Sequence, residues 1–294
     1  MHTKILDGKA IAAEMRAEIK TETARLVAQG VTPGLGVLLV GEDPASRSYV
    51  SAKEKACDEA GIHSEEIKLP ANATKAEILA VVRAFNANLA IDGILVQLPL
   101  PDASIEEEVL NAILPEKDVD GFHPVNVGRM LLGLPAYLPC TPHGILHILK
   151  RSGYPTKGKH VVVVGRSNIV GRPLANLLSL KNELGNATVT VCHTGTPDIG
   201  HFTRQADIVV AAVGRPNVIT AGMVREGAVV IDVGVNRVED PKAPRGMRLV
   251  GDCDYEGMLG KVAAITPVPG GVGPMTITML LHNTVESARR RLAR

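Results

Sequence analysis

Tryptophan is absent from this chain of 294 residues, and aromatic side chains make up only 2% of it. The core must therefore be built from Val, Ile, Leu and Ala, the residues of buried parallel strands and the helices that cover them. An excess of one charge is also lacking, with 32 Lys and Arg against 31 Asp and Glu. No basic run is interleaved with aromatics, so a nucleic-acid groove is excluded and a small neutral or anionic ligand is expected. The four cysteines, Cys57, Cys140, Cys192 and Cys253, are scattered and form no C-x-x-C pair. That removes a disulfide framework and a zinc knuckle, and points to a reducing compartment. No apolar run approaches the ~18 residues of a membrane span. The N-terminus reads as an amphipathic helix carrying charges throughout, not as a signal segment, and a cytoplasmic protein is expected.

What is present is 45% apolar residues in a length that suits two packed domains. From Gly8 to Gly30, Ile11, Met15, Ile19 and Leu26 recur at helical spacing. GLGVLLV then reads as a buried strand, Ser46 as the cap of a helix ending at Gly61, and Ile62 to Leu69 as a second strand. Thr74 with Glu77 and Ser104 with Glu107 fit the capping box, opening helices on either side of the strand IDGILVQ. After the Pro- and Gly-rich stretch from Pro115 to Pro142, Thr141 and Pro142 read as an N-cap and first helical position. A second series of short, β-branched strands follows: HVVVVG, ATVTVC, DIVVAAVG and AVVIDVG. RVEDPKAPRGM reads as an exposed loop, and Pro274 to Leu292 as a last helix that leaves the second domain for the first. The alternation gives an α/β protein of two domains, the second a Rossmann-like parallel sheet.

VVVVGRSNIVGRP has the strand, glycine turn and helix start at which backbone N–H groups hold a phosphate. Its spacing, Gly165 then Gly171, is neither G-x-G-x-x-G nor a Walker loop, so a tight turn without a ligand also fits. Where an NAD site places an acid at the end of the next strand, this chain has Cys192, His193 and Thr194. With no carboxylate there to repel a 2′-phosphate, and Arg166 and Ser167 to bind one, NADP is expected over NAD. Gly214 in AVGRPN, and Gly234 and Val235 in DVGVN, are candidates for the nicotinamide half.

Tyr49 and Lys53, in YVSAKEK, are i and i+4 and share a helix face. The pair resembles the Tyr–Lys of short-chain reductases, but it precedes the glycine turn by more than a hundred residues and lies in the other domain. An exposed Tyr beside a snorkelling Lys is the bland alternative. Gln97 ends a buried strand, DGILVQLPLP, at a position where active-site residues belong. PEKDVDGFHP offers Asp118 and Asp120 on a loop that lacks the further ligands of a calcium site. Of the two, Asp118 is read as the turn former. His143 and His147 have metal-ligand spacing without a zincin Glu or a third ligand, so a helix face without metal is expected. TPVPGGVGPMT, with Pro269, Gly270 and Gly271, suits chain reversal or the lip of a cleft.

Taken in order, YVSAKEKAC, DGILVQLPLP, KDVDGFHPVNVGR, PCTPHGI, VVVVGRSNIVGRP, VIDVGVN and TPVPGGVGPMT resemble the bifunctional methylenetetrahydrofolate dehydrogenase/methenyltetrahydrofolate cyclohydrolases over almost the whole chain. That resemblance implies a folate-binding catalytic domain of residues 1–139 plus 270–294, an NADP-binding domain of residues 140–269, and a cleft between them serving both steps. It implies oxidation of 5,10-methylenetetrahydrofolate with NADP, then hydrolysis of the methenyl product to 10-formyltetrahydrofolate. Lys53 is the implied base, provided that burial and a cationic substrate lower its pKa. Gln97 is implied to hydrogen-bond Lys53, Asp120 to hold the pterin, Tyr49 to stack on the aminobenzoyl ring at the reaction site, and Pro269, Gly270 and Gly271 to shape the lip. A homodimer joined through the NADP-binding domains is also implied. A monofunctional dehydrogenase of the same fold, or a non-catalytic nucleotide-sensing module, would keep the Gly165 turn. The sensing module would have no need of Lys53, Gln97 and Asp120 together.

Overall fold

In the computed structural model, residues 2–241, 243 and 246–292 are described. The chain divides into two units: Met1–Ala12 with Thr141–Thr276, and Ala13–Cys140 with Ile277–Arg294. Each carries its own parallel sheet. Among the described residues no helix is long and apolar enough to cross a membrane.

The sheet of the Ala13–Cys140 unit has three parallel strands, His63–Leu69, Gly34–Val40 and Gly93–Val96, in that spatial order. Gly34–Val40 is central and wholly buried, whereas the edge strand His63–Leu69 carries Glu65, Glu66 and Lys68 and is half exposed. Such charges suit an edge that must not pair with another chain. Phe85, Ile78 and Val82 of the helix Lys75–Ala87 pack on this sheet with Leu38, Ile94 and Val96. That helix opens on the capping box expected of Thr74 and Glu77.

The second box does not form. Asp102 accepts from the Ser104 N–H and hydroxyl, starting a tight turn at Ala103–Ile105, and the helix Glu106–Asn111 follows without a side-chain cap. An Asp two residues ahead of Ser104 is the nearer and stronger acceptor. The preceding helix runs Pro44–Ala60, so Ser46 falls inside it, and the side chain expected to cap it lies outside the described residues.

In the other unit six parallel strands stand in the order Lys4–Ile5, Ala264–Ile265, Val229–Asp232, Ile208–Ala211, His160–Val164, Thr188–Cys192. Lys4–Ile5 and Ala264–Ile265 are two residues long and leave no period to read. Their pairing joins residues 1–12 to this sheet. RVEDPKAPRGM is not wholly a loop: Asn236–Glu239 and Met247–Val250 pair antiparallel, with Lys242, Pro244 and Arg245 outside the described residues. Both ribbon strands are largely exposed, so the ladder leaves little apolar signature. The helix expected at Thr141 and Pro142 starts at Cys140, and the Thr141 hydroxyl meets that of Thr276 at 2.9 Å.

The last helix, Val272–Leu292, contributes buried polar groups to the three-stranded unit. Arg291 forms a two-pronged pair with Asp92, at 2.7 and 3.1 Å, and Asp92 also accepts from the Gly34 N–H at 3.0 Å. Asp92 is 3% exposed. Its removal leaves a buried N–H and a half-buried guanidinium without their partner. Asp92→Ala is expected to lower stability by about 2–4 kcal/mol, measured by urea unfolding.

Candidate active site

In both sheets the first long strand lies between the next two long strands of the chain, so the connections diverge at its carboxyl end. That point of divergence is where an open parallel sheet leaves a crevice. In the three-stranded unit it falls after Gly34–Val40 and Gly93–Val96. Lys53 sits on the helix that follows the first, and Gln97 directly follows the second. Asp118 bridges Ile94 in parallel register, which brings the loop of Asp120 to the same strand.

The Lys53 ammonium donates to Gln97 Oε1 at 2.9 Å, and the Gln97 amide donates in turn to the Leu98 carbonyl at 2.7 Å. The glutamine is thereby oriented with its oxygen toward the lysine. Lys53 is only 7% exposed. Burial pushes its pKa down, opposed by the nearby Asp120 carboxylate and more weakly by Cys140 and Cys57. Burial pushes Asp120 the other way, up to about 6 from 3.8, with Lys53 restraining the rise and Asp118 adding to it. The two groups thus have pKa values displaced toward each other, the pattern of a site that moves protons near neutrality.

Asp118 is structural, as expected. Its carboxylate accepts from the N–H groups of Phe122 and His123 and from Asn126 Nδ2, at 3.1, 2.8 and 2.8 Å. This ties down the loop and leaves Asp120 for Lys53. Tyr49, one helical turn before Lys53, is 40% exposed and offers its ring to solvent.

Two members of the site are absent from the sequence reading. Cys140, 1% exposed, donates its thiol to the Val119 carbonyl at 3.4 Å, and that thiol is held well above the ordinary range by burial and by the nearby Asp120 carboxylate. Asn283 donates to the carbonyls of Val119 and Leu138, at 2.8 and 3.0 Å, fixing the backbone on both sides of the pair. An asparagine within the apolar run TMLLHNTV was the available signal.

In the six-stranded unit the divergence falls at Gly165, between His160–Val164 and Ile208–Ala211. Gly165 has φ +129°, and a Cβ on Gly171 would stand 2.2 Å from the Gly165 carbonyl oxygen. The turn therefore closes directly onto the helix Gly171–Ser179, whose first N–H groups lie at the strand end. This is a cradle that fits the phosphates of a dinucleotide. Arg166 and Thr194 are exposed there. The Ser167 oxygen accepts from the N–H groups of Val170 and Gly171 and retains its own hydrogen for donation. Gly214 and Gly234 lie in the loops that follow Ile208–Ala211 and Val229–Asp232, with Val235 exposed beside Gly234. Pro269, Gly270 and Gly271 belong to this unit, and Gly270 accepts from the Lys9 N–H at 3.1 Å. His143 and His147 face each other across 3.1 Å between their Nε2 atoms, a ring contact along one helix.

Two family models match in tandem: the tetrahydrofolate dehydrogenase/cyclohydrolase catalytic domain over residues 6–120, and its NAD(P)-binding domain over residues 139–292. The chain belongs to the tetrahydrofolate dehydrogenase/cyclohydrolase family. The bifunctional protein FolD of Geotalea daltonii is 58% identical over 288 residues, spanning 98% of this chain and 99% of that protein. The bifunctional FolD of Campylobacter jejuni, a solved structure, is similar with a TM-score of 0.92 at 48% identity, over 98% of this chain and 99% of that one. FolD of Trypanosoma brucei, solved with NADP cofactor and an inhibitor, gives a TM-score of 0.94 at 39% identity over the full length of both. Both halves of the family pattern are therefore present, and the glycine turn lies in the half described as NAD(P)-binding.

The raised Asp120 carboxyl has a consequence for stability. Between about pH 4 and about 6 the folded chain holds this proton more tightly than the unfolded chain, so stability falls as pH rises through that window and stays lower above it. In Asp120→Asn this loss is removed. The gap between the melting temperatures of variant and parent is expected to widen in the variant's favour from about pH 4 to about pH 7, as read by thermal melts.

Proposed function

We propose that this chain oxidises 5,10-methylenetetrahydrofolate to 5,10-methenyltetrahydrofolate with NADP and hydrolyses that product to 10-formyltetrahydrofolate. The observation that carries the reading is Lys53, a buried lysine of lowered pKa oriented by Gln97 beside Asp120, in a chain of this family. Oxidation of the one-carbon bridge demands chiefly orientation of the substrate. Asp120, ionised above about pH 6, accepts hydrogen bonds from the paired amide and amino donors of the pterin. Tyr49 offers its exposed ring to the aminobenzoyl group. Arg166 and Ser167 hold the 2′-phosphate, and Thr194 stands where an acid would repel it. NADP bound there would supply the hydride acceptor.

Hydrolysis falls to Lys53. Its neutral amine takes a proton from water as the oxygen bonds to the methenyl carbon, and Gln97 keeps the amine aimed. The resulting ammonium returns the proton to N5 as the carbon–N5 bond breaks, while the hydroxyl of the adduct loses its proton to solvent, leaving the formyl group on N10. No net proton is stored in the side chain, so it is ready for the next turnover.

We assign folate binding to the three-stranded unit and NADP binding to the six-stranded one, with Pro269, Gly270 and Gly271 contributing to substrate binding. A cytoplasmic location accords with four free, buried thiols. A homodimer joined through the NADP-binding units follows the family resemblance, and light scattering on the purified chain tests it.

Lys53→Met is expected to abolish methenyl hydrolysis, a loss of at least about a hundredfold, while NADP binding persists. The decay of methenyl absorbance measures this, and retained hydrolysis removes Lys53 from its role. Arg166→Ala is expected to raise the KM for NADP about tenfold or more with little change for NAD. An equal effect on both cofactors contradicts the 2′-phosphate contact.

A further inference from the structure

Two carboxylates are sunk at the strand ends of the six-stranded unit: Asp252 is fully buried and Asp232 is 2% exposed. Each is fully engaged by hydrogen-bond donors. Asp252 Oδ2 accepts from the N–H groups of Val213 and Gly214 at 2.6 and 2.9 Å, and its Oδ1 accepts from Asn236 Nδ2 at 2.9 Å. Asp232 Oδ1 accepts from the N–H groups of Gly234 and of Asp252 itself, at 2.9 and 2.8 Å, and its Oδ2 from Cys253 N–H at 2.9 Å. A Cβ on Gly234 would lie 2.1 Å from Asp252 Oδ1, so the chain at Gly234 is built directly against the second carboxylate.

The consequence is an unbroken chain of hydrogen bonds from Gly214 through Asp252 and Asp232 to Gly234. It ties together the loops that follow the adjacent strands Ile208–Ala211 and Val229–Asp232. Neither carboxylate has a cationic side chain among the hydrogen-bond partners named above. Backbone dipoles hold both, which is an expensive way to fill a core if packing alone were required. Asp232 opens the DVGVN stretch, and Asp252 lies in no motif singled out from the sequence.

We propose that Asp252 and Asp232 are positioning residues for hydride transfer, fixing the Gly214 and Gly234 loops in one mutual arrangement so that they grip the nicotinamide half of NADP in a reactive pose. This rests on the NADP-dependent oxidation proposed above. The adenosine half has its own holding groups at Gly165, Arg166 and Ser167. Loosening the two loops therefore costs orientation of the nicotinamide more than affinity for the whole cofactor.

The test compares the parent chain with Asp252→Ala and Asp252→Asn. The asparagine keeps an oxygen for the Val213 and Gly214 N–H groups, and its amine can face Asn236, whose amide can turn to accept. The alanine keeps neither. In Asp252→Ala the kcat of methylenetetrahydrofolate oxidation is expected to fall about tenfold or more, with the KM for NADP changed less than about threefold. Hydrolysis of added methenyltetrahydrofolate without cofactor stays within about twofold of the parent, which shows the chain is folded. Asp252→Asn recovers most of the lost rate. A readout apart from activity is the fluorescence of bound NADPH, which rises when the nicotinamide is immobilised; the alanine variant loses most of that rise and the asparagine variant keeps it.

A rise in KM at unchanged kcat, an equal loss of both activities in the two variants, or unchanged NADPH fluorescence in Asp252→Ala overturns the inference. If the parent binds NADPH yet oxidises no methylenetetrahydrofolate, the proposed reaction fails, and the fluorescence comparison decides the role of the loops.

Discussion

A buried ammonium must keep its donors occupied, and the arrangement around Lys53 follows from that requirement. The lysine leaves the helix Pro44–Ala60 toward the end of the strand Gly93–Val96, where Gln97 supplies an oxygen. A glutamine could present its amine there instead. The Leu98 carbonyl, by accepting from Gln97 Nε2, settles which way the amide faces. Asp120 supplies the compensating charge, and its own loop is held by Asp118 beneath and by Asn283 from the last helix. The site is thus a lysine whose charge is tolerated, not fully neutralised. Burial holds its pKa down while Asp120 keeps it from falling further.

The six-stranded unit works with different materials. Its candidate contacts are backbone N–H groups at strand ends and helix starts, with glycine where a side chain would obstruct. Ionisable groups enter mainly as scaffolding, in the buried pair Asp232 and Asp252. A dinucleotide is bound over a length, so rigid main chain along two loops is a suitable instrument. Proton transfer needs one side chain at one atom, and in the proposed hydrolysis Lys53 of the three-stranded unit is that side chain. The separation explains why residues that govern one step can lie outside the other.

Much of this was legible beforehand. Thr74 and Glu77, the strand Gly34–Val40 and the glycine turn at 165 carry local signals, because caps, β-branched runs and strand–turn–helix contexts depend on near neighbours. Lys53, Gln97 and Asp120 were reached through motif order, since only the fold brings them together. The misses share one cause, which is dependence on distant partners. Ser104 lost its capping role to Asp102, and Lys4–Ile5 became a strand only by pairing with Ala264–Ile265. Cys140 looked like one thiol among four until burial set it near Asp120, and Asn283 drew no reading until the fold set its amide on the Val119 and Leu138 carbonyls.

The proposed pair of reactions gains coherence from charge. Oxidation converts a neutral one-carbon bridge into a methenyl cation, and that cation arises beside the amine that must next act as a base. A positive neighbour disfavours a second positive charge, so it drives Lys53 further toward the neutral form. The same charge favours the ionised form of Asp120, whose pKa of about 6 otherwise leaves a fraction protonated near neutrality. Both groups are therefore moved toward their working states by the product of the first step. When the cation is discharged by water, the influence ends and Lys53 regains affinity for the proton it must pass to N5. A lysine left exposed would feel little of this, because solvent screens the substrate charge. Burial, which makes Lys53 costly to keep, is what makes it responsive.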